Sequence, residues 1–304
     1  MKISTKLARE VDRPLSLTIG FFDGMHRGHR ELARQTRRLR RPGWRSGVLT
    51  FSNHPAEFLR PGTAPPMLHT PEERLRALDD AGFEECFFVP FDDAIASLTP
   101  ERFMQEVLID ALGTRAVVTG ATFRFGHKRA GDASTMAVYL GARGVAYVPL
   151  ENLADHGERI SSTHIRALVA AGELDRADDL LGRSYELRGT VERGEGRGHG
   201  LGFPTANVRP PQKLLPKDGV YSAVARFDGC DRAALVSIGT NPQFGGGART
   251  IEAWLRDFHA TIYGCELALR DLRFVREQRT FDNVDDLIRQ MKEDTNAVAY
   301  PAFG

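Results

Sequence analysis

Two histidines stand at the end of a β-rich run and a glycine turn, in Thr18-Ile19-Gly20-Phe21-Phe22-Asp23-Gly24-Met25-His26-Arg27-Gly28-His29. The pattern suits phosphate binding. Free N–H groups and the positive end of a starting helix attract an anion, glycine lets backbone approach closely, and two imidazoles can donate to phosphate oxygens. Paired histidines can also hold a metal or lie on a surface, but placement directly after the first strand favours phosphate. A second run, Ile160-Ser161-Ser162-Thr163-His164-Ile165-Arg166, also opens a helix. Ser162 or Thr163 is a natural N-cap there. Arg166, one turn in, carries a planar fork of donors for the same phosphates. Neither run is a P-loop, since GxxxxGK[ST] and GxGxxG are both absent.

The later part of the chain holds a different set. Glycines recur at 194, 196, 198, 200 and 202, followed by Pro204-Thr205-Ala206-Asn207. A glycine run alone is often only a loop. A hydroxyl and an amide two residues apart on an extended segment, however, face one way and suit a hard cation and phosphate oxygens. Farther on, Arg249-Thr250-Ile251-Glu252-Ala253-Trp254 sets one carboxylate inside a β-like run. Most strand glutamates are exposed and inert. In the same part of the chain as a segment suited to a hard cation and phosphate, Glu252 is instead a candidate general base.

These groups need a scaffold of 304 residues, long enough for two domains. Up to residue 182 short apolar runs (Leu15–Phe22, Gly47–Phe51, Cys86–Phe91, Ala116–Gly120, Val145–Leu150) alternate with helical patterns. Thr70-Pro71-Glu72-Glu73 predicts a capped helix ending at Gly82, and Thr99-Pro100 opens another that Gly113 closes. The alternation predicts βαβ units and a mostly parallel sheet, with ligands beyond its C-terminal strand ends. From residue 183, five strand-like runs with an Asp228-Gly229 hairpin signal, then one helix capped at Asn283, predict an antiparallel barrel of about six strands with a terminal helix. The expected domains are therefore 1–182 and 183–304. The run Arg34–Arg45 reads as a solvated helix face.

Composition narrows the function classes. Apolar residues are 41% and charged residues 27%, against disorder. Lys+Arg number 41 and Asp+Glu 40, which argues against a nucleic-acid binder. Cys86, Cys230 and Cys265 form no CxxC pair, so neither a disulfide framework nor a cysteine zinc site is expected. No apolar signal core and no run of 18 apolar residues occurs, so the expectation is a cytoplasmic protein with no membrane partner. Nothing in the sequence sets an oligomeric state.

HxGH together with ISSTxxR resembles the nucleotidyltransferase superfamily. GFFDGMHRGH with GATFRFG (120–126) narrows the resemblance to the adenylyltransferase module of bacterial bifunctional riboflavin kinase/FAD synthetases. GxxxGFPTAN, PKDGVY (216–221), GTNPQFGG (239–246) and TIE resemble the riboflavin kinase domain of the same family. The resemblance implies an α/β fold, a Rossmann-like nucleotidyltransferase domain with a parallel sheet ahead of the β-barrel. It implies two reactions on small molecules. Riboflavin's 5′-hydroxyl attacks the ATP γ-phosphate, giving FMN. The FMN phosphate then attacks the ATP α-phosphorus in line, giving FAD and pyrophosphate.

The same resemblance implies roles for residues. Gly20, Phe21, Phe22, Asp23, Gly24 and Gly28 would form the ATP-binding turn. His26 and His29 would stabilise the pentacoordinate phosphorus and the leaving group, while Ser161, Ser162, Thr163 and Arg166 hold the triphosphate. Asn53 and Pro55 of FSNHP, with Phe123 and Phe125, would line the adenine and flavin pockets. In the barrel, Gly202 and its neighbouring glycines would close over the nucleotide, Thr205 and Asn207 would hold Mg²⁺ and phosphates, and Glu252 would accept the hydroxyl proton. Thr122, Asn53 and Gln243 depart from the family pattern, where an acidic or amide residue, a proline and a threonine are usual. Thr122 and Asn53 lie off the phosphate machinery and imply altered affinity rather than lost chemistry, while Gln243 bears on the contacts of its own loop. Two alternatives stay open: a single-activity riboflavin kinase with a divergent first module, and a flavin-sensing binding protein.

Overall fold

The computed structural model describes residues 1–8, 13–193, 204–240, 249–258, 260–281 and 283–297. By packing they fall into two compact units, Met1–Ser162 and Thr163–Gly304. The first unit is built on strands β1 (Lys2–Ser4), β2 (Leu15–Ile19), β3 (Arg45–Phe51), β4 (Glu85–Val89), β5 (Thr114–Gly120) and β6 (Ala146–Leu150). They pair in parallel in the order β1-β4-β3-β2-β5-β6. Five of the six are the apolar runs read from the sequence. The sixth, β1, is three residues at the sheet edge, too short to show a period. Central β2 is buried at all five positions, as a strand covered on both faces must be.

The helices of this unit are α1 (Arg27–Arg38), α2 (Pro55–Leu59), α3 (Pro71–Asp80), α4 (Asp93–Ala96), α5 (Pro100–Arg102) and α6 (Ala133–Gly141). The expected capping box on α3 is complete: Glu73 N–H donates to the Thr70 hydroxyl at 3.2 Å and Thr70 N–H to the Glu73 carboxylate at 3.0 Å. The helix opened by Thr99-Pro100 differs from the expectation in its winding. Residues Phe103–Ala111 form wide π-type turns, with Leu112 N–H reaching Val107 C=O at 3.1 Å. A short hairpin, β7 (Ala154–Asp155) and β8 (Glu158–Arg159), follows the sheet.

The second unit carries most of α7 (Ser162–Ala171), then α8 (Leu174–Leu181) and strands β9 (Leu187–Glu192), β10 (Thr205–Val208), β11 (Gly219–Phe227), β12 (Cys230–Thr240), β13 (Arg249–Leu255) and β14 (Glu266–Arg276), before α9 (Val284–Ala297). The strands close a barrel in the order β10-β13-β12-β11-β14-β9, every pair antiparallel. The Asp228-Gly229 signal is a two-residue turn between paired Phe227 and Cys230, with φ of 50° and 74°, both left-handed as a type I′ turn requires. Asn283 caps α9 by accepting from Asp286 N–H at 2.9 Å. Helix α8 belongs with the barrel because half-buried Asp178 accepts from Arg273 on β14 at 3.0 Å and from Tyr185 N–H at 2.6 Å. The helix-to-strand change of rhythm after Gly182 and the packing division after Ser162 are thus different positions.

Two charged or reactive groups sit deeper than their types suggest. Arg45, the last arginine of the basic run, starts β3 and is buried against Glu85 rather than solvated. Cys86 is fully buried in β4, and burial pushes its thiol up to about 12. The thiolate is the reactive form. Iodoacetamide at neutral pH is therefore expected to label exposed Cys230 and Cys265 in native protein, and Cys86 only after unfolding; peptide mass spectrometry reads the difference.

Candidate active sites

The segments flagged in the first unit converge because parallel strands deliver their following loops to one edge. The turn 20–28 follows β2, FSNHP follows β3 and FRFG follows β5. Chain order reverses direction between β2 and β5, which are hydrogen-bonded neighbours. A ligand crevice is expected beyond the strand ends at such a switch point.

The turn after β2 is tightly built. Gly20 N–H donates to Leu49 C=O at 3.1 Å. Phe22, Gly24 and Met25 all have left-handed φ, of 57°, 81° and 43°. Non-glycine residues hold that conformation only where their surroundings over-determine it, and Phe22 and Met25 are buried in the core beside α1 and β3. Asp23 is also buried. Its carboxylate accepts from Leu68 N–H and His69 N–H at 3.0 Å each, so its side chain shapes the turn by tying it to the 68–69 loop. Its carbonyl accepts from the Ser162 hydroxyl at 2.9 Å, which joins the two phosphate motifs. Helix α7 thus starts at Ser162, with Ser161 just ahead of it, and the Ser162 side chain is spent on this link. Thr163 and Arg166 follow on α7.

His26 is the N-cap of α1, with its Nδ1 accepting from His29 N–H at 3.3 Å. The two imidazoles stack with centroids 3.7 Å apart and planes 17° from parallel. Phe22 lies against His29, 5.1 Å between centroids. A Cβ on Gly28 would come 3.2 Å from two atoms of the His26 ring, so glycine between the histidines leaves that ring its room in the stack. The result sets two stacked imidazoles beside a helix N-terminus, an arrangement whose chemistry suits an anion.

The residues expected at the flavin and adenine pockets are placed less uniformly. Phe123 and Phe125 stack 5.8 Å apart, but Phe125 is buried in the core against Phe103, leaving Phe123 the more accessible ring. Pro55 opens α2 behind its cap His54, whose ring meets Phe21 edge-on at 4.7 Å. Asn53 donates to Phe91 C=O at 3.0 Å and accepts from Phe91 N–H at 2.7 Å, clipping the end of β3 to the segment after β4. The asparagine that departs from the family pattern is therefore a backbone clip. Thr122 accepts from Arg159 at 2.9 Å.

Arg74 on α3 was not among the residues flagged by sequence. It is 3% exposed and donates to Phe21 C=O at 3.2 Å and Phe51 C=O at 2.6 Å. Burial pushes its guanidinium down to about 10, while the negative charge of Asp23 resists that fall. An arginine in RLRALDDA reads as solvated; the available signal was its spacing of one turn from Leu78, which is buried on the same face.

In the barrel the register assembles the second site. Asn207 on β10 lies directly opposite Glu252 on β13, and Thr205 opposite Trp254. Residues directly opposite share a face. Ile251, Ala253 and Leu255 fill the interior, so Thr205, Asn207, Glu252 and Trp254 share the opposite face. Ser237 on β12 flanks Glu252 from the other side, and Trp254 packs on Val220, Ala233 and Leu235. Gly202, the rest of the 194–202 glycine run, and Gln243 lie outside the described residues. Among the described residues no cluster of three or more His, Cys, Asp or Glu could hold a metal. The Thr205 hydroxyl and Asn207 amide do present hard oxygens on one face, and these fit a magnesium ion that arrives with phosphate oxygens, with the Glu252 carboxylate beside them as a proton acceptor.

A parallel sheet with imidazoles at a helix mouth, joined to a barrel bearing a hydroxyl–amide–carboxylate face, defines a two-site phosphate-transfer protein. Comparison with known proteins narrows this class. Residues 8–164 match the FAD synthetase family and residues 181–300 the riboflavin kinase family. The chain is 35% identical to the bifunctional riboflavin kinase/FMN adenylyltransferase of Listeria monocytogenes over 91% of this chain and 89% of that one. It is 31% identical to that of Bacillus subtilis, over 95% and 92%. The chain belongs to the bifunctional riboflavin kinase/FMN adenylyltransferase family. A crystal structure described as a macrolide-efflux protein from Streptococcus pneumoniae superposes with a TM-score of 0.87 at 29% identity, covering 97% of both chains. The likeness is taken as one of fold; among the described residues no helix is long and apolar enough to cross a membrane.

Proposed function

We propose that this chain makes both flavin cofactors, with FMN adenylylation assigned to residues 1–182 and riboflavin phosphorylation to residues 183–304. The observation that carries the reading is the pairing of Asn207 with Glu252 across β10 and β13, a base beside a phosphate ligand, in one chain with the stacked histidines of α1. In the barrel, Thr205 and Asn207 hold the ATP phosphates together with Mg²⁺, which supplies charge neutralisation when bound. Glu252 takes the proton from riboflavin's 5′-hydroxyl as that oxygen attacks the γ-phosphorus.

In the first unit, His26 and His29 donate to the α-phosphate as the FMN phosphate attacks in line and pyrophosphate leaves. Backbone N–H groups of the 20–28 turn and the start of α1 share that charge, and the family likeness assigns Ser161, Thr163 and Arg166 to the triphosphate. Phe123 and Pro55 line the adenine and flavin pockets, while Asp23, Asn53, Ser162 and Phe125 hold the walls in place. No covalent enzyme intermediate is needed, so positioning and charge neutralisation carry the rate. The three free cysteines support a reducing, cytoplasmic setting.

The test supplies riboflavin, ATP and Mg²⁺ to purified protein and follows products by chromatography. FMN and then FAD are expected. FMN alone would leave a single-activity kinase, and tight flavin binding without turnover a sensor. A finer result follows from the 3.2 Å approach at residue 28: Gly28→Ala presses its Cβ on the His26 ring, which must give by a few tenths of an ångström. It is expected to slow FMN adenylylation about tenfold or more and leave riboflavin phosphorylation unchanged, measured as separate half-reactions.

A further inference from the structure

We propose that Arg74 is a positioning residue for FMN adenylylation, locking the β2 and β3 loops into one rigid edge. The inference rests on the assignment of adenylylation to the first unit. Arg74 is almost fully buried, yet it belongs to α3, outside every segment that carries the chemistry. Its two terminal nitrogens reach different loops: one binds Phe21 C=O in the turn leading to His26, the other Phe51 C=O at the start of FSNHP. Thr50 Oγ1 donates to the same Phe21 carbonyl at 3.1 Å, so that oxygen is gripped from two sides. The guanidinium carbon lies over the Phe21 ring, 4.1 Å from its centroid, and 5.1 Å from that of Phe88.

Only arginine meets all of these demands. Its fork can bridge two carbonyls while its face stacks on an aromatic ring, and a lysine ammonium can do one or the other. Without the guanidinium, Thr50 would still hold the Phe21 carbonyl, but the Phe51 carbonyl would turn to water and the two oxygens would lose their shared donor. The chemistry depends on that distance, because the imidazoles follow Phe21 by a few residues of strained backbone while FSNHP lines the opposite wall.

The experiment compares wild type, Arg74→Met and Arg74→Lys, all as the full chain. It measures kcat and KM for ATP in each half-reaction, together with thermal melting. In Arg74→Met the KM for ATP in adenylylation is expected to rise about tenfold with kcat lowered, and Arg74→Lys to recover part of both. Riboflavin phosphorylation by the same samples should keep its KM. A merely structural arginine would lower the folded fraction, cutting maximal rate without moving KM; that result, or wild-type kinetics in Arg74→Met, overturns the proposal. Should Arg74→Met not fold, Arg74→Lys decides by the same KM criterion. Wild-type protein that makes no FAD would reject the functional assignment itself, which is a separate outcome.

Discussion

Replacing Glu252 by glutamine is expected to cut the conversion of riboflavin to FMN by about 10²–10⁴, the usual cost of losing one aligned general base. Glutamine keeps the size and the cross-strand place opposite Asn207, so the barrel should fold as before and bind ATP. The loss should appear in kcat with KM for ATP nearly unchanged, because the carboxylate acts on the hydroxyl proton rather than on the nucleotide. FAD formation from supplied FMN should proceed at the wild-type rate. Chromatography of the two half-reactions, each started from its own flavin, checks both statements. Equal loss in both reactions from folded protein would mean that one site does the work of two.

The converse variant is His29→Ala. Removing one preorganised donor to a developing charge typically costs about 10²–10³ in rate. Here the ring also stacks on His26, so the neighbouring imidazole loses its support along with the missing donor. FMN adenylylation is expected to fall by at least that factor, and riboflavin phosphorylation to stay near wild type. The reverse reaction, FAD with pyrophosphate, must fall by the same overall factor, since a catalyst cannot move the equilibrium. Following ATP formation from FAD and pyrophosphate provides an independent check.

Much of the architecture was legible because its signals are local. Alternating apolar runs and capped helices mark the parallel sheet, and Asp228-Gly229 marks a type I′ turn whose two left-handed residues few other pairs tolerate. What escaped was short or non-local. Three-residue β1 has no period to read, and four-residue β10, taken only as an extended segment, becomes a strand because β9 and β13 offer it partners on both sides. The wide winding of Phe103–Ala111 has no sequence signal that distinguishes it from an α-helix.

The residue types at the two sites, and their order along the chain, come from the primary structure alone: histidines flanking a glycine, then a hydroxyl and amide two apart, then one carboxylate. Their working relationships do not. The pairing of Asn207 with Glu252 depends on strand register, and the edge that joins β2 to β3 depends on a buried Arg74 that reads as a surface residue. The physical reason is range. Caps, turns and periodicity are set by neighbours within a few residues, whereas register and burial are settled by the free energy of packing partners distant in sequence.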